Sequence, residues 1–200
     1  MNGKMTVFAL GILATFLIAC GGGDKTPAPL SADKGATLVF ARGEDAVGLD
    51  PGRQTDGESF AVTNNLYDTL VRFKRESTEI EPALASRWDI SPDRLAWTFH
   101  LRLGLKWSNG EPLTADDFVA SWRRLLSPTL GAENAYYLYP IKNAEAFNKG
   151  TIADPTAIGV AAPDRRTLVV TLARPTPYFT MLTAQPSTYP VNARVLAQFA

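Results

Sequence analysis

The sequence predicts a mixed α/β (α+β) fold, and three segments lead to that prediction. Over residues 95–102 apolar and polar residues alternate with the period of a half-buried strand. Over residues 115–126 the apolar residues instead recur at helical spacing. Residues 159–161 and 168–172 again have strand character and are separated by a turn at 163–165, which favours a hairpin. Strands and helices are therefore interspersed, without internal repeats.

The N-terminus has the pattern of an export signal. Lys4 precedes an apolar stretch over residues 7–19 that is too short to cross a bilayer as a helix. Residues 17–20, LIAC, resemble the cleavage site of bacterial lipoproteins, in which the cysteine sulfur is acylated. A free cysteine behind an ordinary signal peptide is the alternative. We expect residues 1–19 to be a signal peptide and Cys20 to be lipidated, so that the protein is anchored to a membrane.

The next segments are a linker, a strand, a loop and a helix. Residues 20–36 are rich in Gly, Pro, Ala and Asp and predict a flexible tether. A short apolar run within residues 37–42 predicts a buried strand. Residues 43–57 are polar and broken by Gly and Pro, which is typical of a loop. Apolar residues at helical spacing over residues 59–71 then predict the first helix.

The stretch 97–122 has the clearest local pattern. Phe99 and its alternate neighbours are predicted to face the core, because every second side chain of a strand points the same way. Asn109 and Gly110 favour a chain reversal, since both tolerate a positive φ. A helix should begin near Ala115. Its apolar stripe comprises Phe118, Val119, Trp122, Leu125 and Leu126.

Three residues predict how that helix is capped. The Thr114 hydroxyl stands where it can accept from the free N–H groups of the first turn. Asp116 and Asp117 place negative charge at the positive end of the helix dipole. A carboxylate pair for metal or acid–base chemistry is the alternative, but adjacent helical residues point about 100° apart. Capping therefore accounts for both carboxylates, and Pro128 cannot continue the helix.

Two weaker helices are predicted towards the C-terminus. Residues 143–148 should form a short helix with Ala144 and Phe147 facing inward and Gly150 as its C-cap. Residues 193–200 have the character of a helix without a stop signal.

Composition argues against several classes of function. The net charge is zero and no basic run occurs, so a nucleic-acid partner is not expected. Cys20 is the only cysteine, which excludes an intramolecular disulfide and a Cys-based metal site. The only histidine, His100, is predicted on the solvent-facing side of its strand, without the spacing of a metal or catalytic site. No glycine-rich phosphate loop occurs. We expect neither an enzyme, such as a hydrolase, nor a bound metal or cofactor.

Four tryptophans raise the possibility of a sugar-stacking platform. Trp97 and Trp122 lie on the packing faces of their elements, so we predict that both belong to the core. For Trp88 and Trp107 the pattern leaves both roles open.

The stretch 97–122, WTFHLRLGLKWSNGEPLTADDFVASW, resembles the signature of the bacterial extracellular solute-binding proteins of family 5, which serve peptide ABC transporters. Other segments resemble the same family and stand in the family's order: 49–51 (LDP), 82–88 (PALASRW), 164–172 (DRRTLVVTL) and 175–179 (PTPYF). An ordered series of this kind is far more specific than one short motif.

The resemblance implies a periplasmic-binding-protein-like fold of type II, in which the chain leaves a large lobe for a small domain and later returns. Residues 37–66 would form the first segment of the large lobe, 67–190 the small domain and 191–200 the start of the return. The distal lobe that closes over the ligand would then follow residue 200. We therefore expect an N-terminal fragment that, lacking half of the site, binds no ligand tightly by itself.

The resemblance also implies where a ligand binds. In the family, the loop after Pro51 lends main-chain groups that pair with a bound peptide as an added strand, a mode that suits any peptide sequence. An aromatic cluster belongs to a second segment that approaches the ligand. The candidate ligand-binding residues are Thr55, Asp56, Gly57, Tyr136 and Tyr137. An ordinary surface loop and core or interdomain packing are the alternatives for these two groups.

The function that the resemblance implies is capture of dipeptides or oligopeptides in the periplasm or at the cell surface, and their delivery to an ABC permease. The protein would be a monomer held to the membrane by lipid on Cys20. One alternative is another solute on the same scaffold: a nickel complex, haem, an opine or an oligosaccharide. A lipoprotein sensor or chaperone without a transport role is the other.

Overall fold

The computed structural model describes residues 39–198. The predicted signal peptide, the tether and Cys20 lie outside the described residues. The α-helices are α1 (Gly57–Thr63), α2 (Ala115–Leu125), α3 (Ala144–Asn148), α4 (Phe179–Leu182) and α5 (Ala193–Leu196), and 3-10 helices span Glu133–Leu138, Pro155–Ala157 and Pro186–Thr188. The strands are β1 (Val71–Phe73), β2 (Ile80–Pro82), β3 (Ala85–Ile90), β4 (Ala96–Leu101), β5 (Val160–Asp164) and β6 (Thr167–Thr171). The predicted mixed α/β class is confirmed.

Four strands form an antiparallel sheet in the order β3-β4-β6-β5, while β1 and β2 pair separately. In the sheet, Trp97 lies opposite Val170 and Phe99 opposite Leu168. This register puts the apolar sides of both central strands on one face, because side chains alternate along each strand. The strand predicted over residues 95–102 is confirmed, and so is the hairpin. Its turn lies at residues 165–166 and not at 163–165, because β5 continues to Asp164, which pairs with Thr167.

Helix α2 packs against β5 and β6, and its apolar stripe joins the sheet in one buried cluster. Phe118 and Trp122 are fully buried, and their rings meet edge to face with centroids 6.2 Å apart. Burying a large apolar side chain stabilises a fold by about 1.5–3 kcal/mol, so this stripe fixes the helix to the sheet. Trp97 and Trp122 are core residues, as predicted. Trp88 is partly buried against the same cluster, and Trp107 is partly exposed.

The start of α2 carries a capping box formed by Thr114 and Asp117, which confirms the predicted cap. The helix begins at Ala115 as expected, with Thr114 as the N-cap. The Asp117 carboxylate accepts from the Thr114 N–H at 2.7 Å and from its hydroxyl at 3.1 Å. Asp117 therefore caps the helix through a hydrogen bond in addition to its charge, and Thr114 is the N-cap as predicted. The preceding turn is confirmed, with Gly110 at a φ of 87°.

The helix predicted over residues 59–71 ends early. Helix α1 stops at Thr63, and its buried residues are Ser59 and Thr63 instead of the apolar stripe. Leu66 is 59% exposed. Leu70 and Val71 are buried, but Val71 is already in β1, opposite Pro82. Strand pairing thus buries the end of the stripe, and the helical spacing there was misleading.

The strand predicted over residues 37–42 is wrong for the part that the structure describes. Residues 39–42 have no regular secondary structure, and Val39 is 87% exposed. A strand requires a hydrogen-bonded neighbour. Among residues 39–198, none pairs with this segment. A short apolar run by itself is therefore insufficient to predict a strand.

A helix is present at each of the two positions where a weaker helix was predicted. Helix α3 buries Ala144 and Phe147 as predicted, but its C-cap is Lys149, and the predicted cap Gly150 comes one residue later with a φ of 73°. Helix α5 begins at Ala193 and ends at Leu196, which makes it shorter than predicted.

Gly159 lies directly before β5, where the backbone passes very close to β6. A Cβ atom at this position would lie 2.5 Å from the Thr171 carbonyl oxygen and 2.9 Å from Lys142 Cβ. We expect Gly159→Ala to lower the free energy of unfolding by about 1–3 kcal/mol, because the backbone must shift to relieve the overlap. Urea denaturation measures the loss. Gly48→Ala is the matched control, since a Cβ there meets no atom within 4 Å. Equal stability of the two variants would contradict the prediction.

Candidate ligand-binding site

The loop that carries the predicted ligand contacts is anchored at its start by Asp50. Arg124 of α2 donates to both carboxylate oxygens of Asp50, at 3.0 and 2.5 Å, and the Gly52 N–H donates to one of them at 3.1 Å. Burial acts to raise the pKa of Asp50, but the Arg124 guanidinium and the Gly52 N–H outweigh it and hold the pKa below its usual value. Asp50 is therefore an anion at neutral pH and ties the loop to α2.

Gln54 holds the middle of the loop. The residue is 4% exposed, and its side chain donates to the Gly48 carbonyl at 2.7 Å and accepts from the Thr63 hydroxyl at 2.8 Å. Its main-chain carbonyl accepts from the Asn134 side-chain amide at 2.9 Å. The loop is thus fixed both to α1 and to the 3-10 helix Glu133–Leu138. Buried polar groups with partners of this kind order a segment strongly, because leaving them unpaired is costly.

The three predicted contact residues of the loop differ in whether their polar groups already have hydrogen-bond partners. Asp56 is the N-cap of α1, and its carboxylate accepts from the Ser59 N–H at 2.7 Å, which lowers the pKa of Asp56. Gly57 is the first residue of that helix. Thr55 is exposed, and within residues 39–198 neither its N–H nor its C=O has a hydrogen-bond partner. Within the described residues, the Thr55 main chain is therefore both exposed and unpaired, as main-chain pairing with a ligand requires.

Tyr136 and Tyr137 lie in the 3-10 helix that also carries Asn134. Their ring centroids are 4.4 Å apart, with Tyr136 half-exposed and Tyr137 partly buried. The bond from Asn134 to Gln54 brings this helix to the loop. The two predicted contact segments are thus neighbours in the structure, although about eighty residues separate them in the sequence.

A separate cleft of about 480 Å³ lies beside a stacked pair of tyrosines. The rings of Tyr67 and Tyr189 are 5.6 Å apart and nearly parallel. The Tyr189 hydroxyl donates to Asn64 at 2.8 Å, and burial, with the charge of Asp68, raises the pKa of Tyr189 to about 12. The stack brings together the two chain positions at which the small domain was predicted to begin and end.

His100 belongs to a partly exposed cluster of charged side chains. His100 is partly exposed, and its Nε2 lies 2.7 Å from Asp89, whose carboxylate also accepts from Arg87. Among residues 39–198, no group of three or more His, Cys, Asp or Glu side chains could hold a metal ion. The same residues include no helix with the length and apolar character needed to span a membrane.

Sequence reasoning missed the residues that hold the loop in place. Asp50 belongs to the LDP segment that resembles the family, which was a usable signal. Gln54 and Asn134 gave none, because a polar residue in a polar stretch has no pattern that predicts its burial or its distant partner.

Comparison with known proteins gives a consistent result. The family model described as bacterial extracellular solute-binding proteins, family 5 Middle, matches residues 79–198. The dipeptide-binding protein DppE of Bacillus subtilis is 35% identical over 94% of this chain and 35% of its own length. The probable deoxycholate-binding periplasmic protein YgiS of Escherichia coli is 41% identical over 75% of this chain and 28% of its own. The chain spans about one third of the length of such curated relatives.

Solved structures agree with this result. The oligopeptide-binding protein OppA of Haemophilus influenzae, in complex with RPPGFSPFR, matches with a TM-score of 0.74 and 37% identity, over 78% of this chain and 30% of that one. The substrate-binding domain of an oligopeptide ABC transporter from Bacillus anthracis matches with a TM-score of 0.73 and 41% identity, over 76% of this chain and 29% of that one. The fold is thus part of the periplasmic-binding-protein architecture. Since the family model covers more than half of its residues, the chain belongs to the bacterial extracellular solute-binding proteins of family 5.

Proposed function

We propose that this protein is the substrate-binding component of a peptide ABC importer, which captures dipeptides or oligopeptides outside the cytoplasmic membrane and delivers them to the permease. One observation carries the proposal: the exposed main chain of Thr55 is without partners in residues 39–198, and its loop is held beside Tyr136 and Tyr137 by the bond from Asn134 to Gln54. An extended peptide offers the same N–H and C=O groups at every residue, so pairing with Thr55 would accept many sequences.

The other four predicted residues have distinct roles in this proposal. Tyr136 offers a half-exposed aromatic ring, against which a peptide side chain can pack, on the 3-10 helix that Asn134 ties to the loop. The Tyr137 ring packs against the Tyr136 ring, with the two ring centroids 4.4 Å apart. Asp56 and Gly57 fix the end of the loop through the start of α1. In this proposal they would also contribute main-chain contacts to the peptide.

Capture would proceed by closure of two lobes around the ligand. The ligand favours the closed state because only that state provides both halves of the contacts. Residues 37–66 and 191–200 would belong to the large lobe and residues 67–190 to the small domain, a division that the Tyr67–Tyr189 stack supports by joining the two crossings. Members of the family are solute-binding proteins and not enzymes, which agrees with the argument from composition.

The proposed location is the periplasm or the cell surface. Residues 1–19 would direct export, lipid on Cys20 would anchor the mature protein, and residues 20–36 would give the folded part freedom to meet the permease. We propose a monomer, since one binding protein presents one ligand at a time.

A second candidate function is binding of an amphipathic non-peptide solute. The relative named as a probable deoxycholate-binding protein is 41% identical over three quarters of this chain. A rigid steroid acid has no repeating N–H and C=O groups, so it would not use the Thr55 main chain as an extended peptide does. The two candidates therefore predict different ligands and different contacts.

Native mass spectrometry of the full-length protein purified from its own cells separates the candidates. We expect a series of bound masses that corresponds to peptides of mixed sequence, because main-chain pairing selects weakly among side chains. Denaturation of the same sample should release those peptides for sequencing. A single steroid acid would support the second candidate, while a discrete sugar, haem or metal complex would overturn both.

A further inference from the structure

The Asn134 side chain connects two separate parts of the candidate site. It projects from the 3-10 helix Glu133–Leu138 and donates its amide to the Gln54 carbonyl at 2.9 Å. A carbonyl oxygen can only accept a hydrogen bond, so the nitrogen of this side chain must face the loop. The two residues are 80 positions apart in the sequence, which makes this bond a tertiary link and not a local turn.

The link acts on the peptide unit that precedes Thr55. Gln54 is already held through its side chain by Gly48 and Thr63, and the bond from Asn134 fixes its main-chain carbonyl. The carbonyl of Gln54 and the N–H of Thr55 belong to the same planar peptide group, so fixing one orients the other. On the other side of Thr55, the Asp56 carboxylate accepts from the Ser59 N–H, which further restricts the backbone of the loop. The Thr55 N–H therefore has one preferred orientation in the ligand-free protein.

We propose that Asn134 is a positioning residue for ligand binding: it orients the Thr55 N–H for pairing with a peptide and sets this group relative to Tyr136. The inference rests on the proposed function. It assigns Asn134 an effect through Gln54 instead of a contact with the ligand. An oriented donor binds more tightly than a mobile one, because the ordering cost is met during folding and not during binding.

Two variants test this role. Asn134→Asp is close in size but cannot donate to the Gln54 carbonyl, and Asn134→Leu removes the donor without adding charge. The matched control is Asn148→Asp, because the Asn148 amide donates to the Leu126 carbonyl at 3.0 Å, and a carboxylate at 148 still accepts from the Tyr139 hydroxyl. The control therefore also loses one bond from a side chain to the main chain, but outside the candidate site.

Binding of trialanine to the full-length protein, measured by calorimetry, is the first readout. We expect both Asn134 variants to weaken trialanine binding by about 3- to 10-fold, in line with the loss of one hydrogen bond, and Asn148→Asp to leave it unchanged. All three variants should lower the melting temperature by a similar small amount. Equal affinity of the Asn134 variants and the wild-type protein would overturn the proposal.

Backbone order in the ligand-free protein is the second readout, and it does not depend on the ligand. We expect the ¹⁵N order parameter of Thr55 to fall from about 0.85 towards 0.6 in both Asn134 variants and to stay high in Asn148→Asp. An unchanged value in the Asn134 variants would overturn the positioning role. If the wild-type protein binds no peptide but the order parameter falls as expected, the proposed function fails and the positioning of the loop stands.

Discussion

Replacing Trp122 with alanine is expected to lower the free energy of unfolding by about 3–5 kcal/mol, the range for truncating a large buried aromatic side chain. Trp122 is fully buried between α2 and the sheet, and Phe118 meets its ring edge to face. Its indole N–H donates to the Thr188 carbonyl at 3.0 Å. Truncation therefore leaves a cavity and also a buried carbonyl without its donor.

Chemical denaturation with two further variants separates these contributions. Trp122→Phe keeps an apolar ring but cannot donate to Thr188, so we expect an intermediate loss of about 1–2 kcal/mol. Trp107→Ala is the matched control, because Trp107 is partly exposed and the substitution should cost less than about 1 kcal/mol. If Trp122→Ala and Trp107→Ala unfold at the same denaturant concentration, Trp122 does not have the central packing role inferred here.

Replacing Cys20 with serine is expected to abolish membrane attachment. The proposed anchor requires the cysteine sulfur, since serine cannot form the thioether that carries the lipid. Each buried CH₂ of an acyl chain contributes about 0.8 kcal/mol, and stable attachment takes more than one chain. Loss of all acyl chains at once should therefore release nearly all of the protein from the membrane. Triton X-114 phase partition measures this: wild-type protein should enter the detergent phase and Cys20→Ser the aqueous phase.

The control for this experiment is Gly22→Ala, which alters the tether and keeps Cys20. It should partition with the detergent, as the wild-type protein does. A Cys20→Ser protein that has lost residues 1–19 and still enters the detergent phase would rule out the lipid anchor. The intact mass of the wild-type protein gives a second check, because lipidation adds the mass of the acyl groups and an ordinary signal peptide leaves a free cysteine.

The proposed mechanism depends on a rigid loop at Gln54 and on the relative motion of the two lobes. Gln54 is held from three sides, and Asp50 ties the loop to α2 through Arg124. A fixed donor on one lobe allows the second lobe to close over a peptide that is already aligned. Lobe closure then adds contacts without first having to order the loop.

Local patterns in the sequence determined much of the fold. The alternation in β4, the apolar stripe of α2 and the turn between β5 and β6 all predicted the elements that the structure contains. Each of these signals repeats over several residues and agrees with the packing face that tertiary contacts use. The family resemblance was also in the sequence, because its motifs are ordered along most of the described chain.

Tertiary structure decided where short apolar runs end and how the candidate site is assembled. Leu70 and Val71 have helical spacing, yet pairing of Val71 with Pro82 makes this segment a strand. Arg124 reaches Asp50 across 74 positions, and Asn134 reaches Gln54 across 80. Such bonds depend on the distance between folded segments, which no local spacing encodes. The sequence by itself determined the family and the periodic elements, and only the packing of α1, α2 and the 3-10 helix decided the position of Thr55.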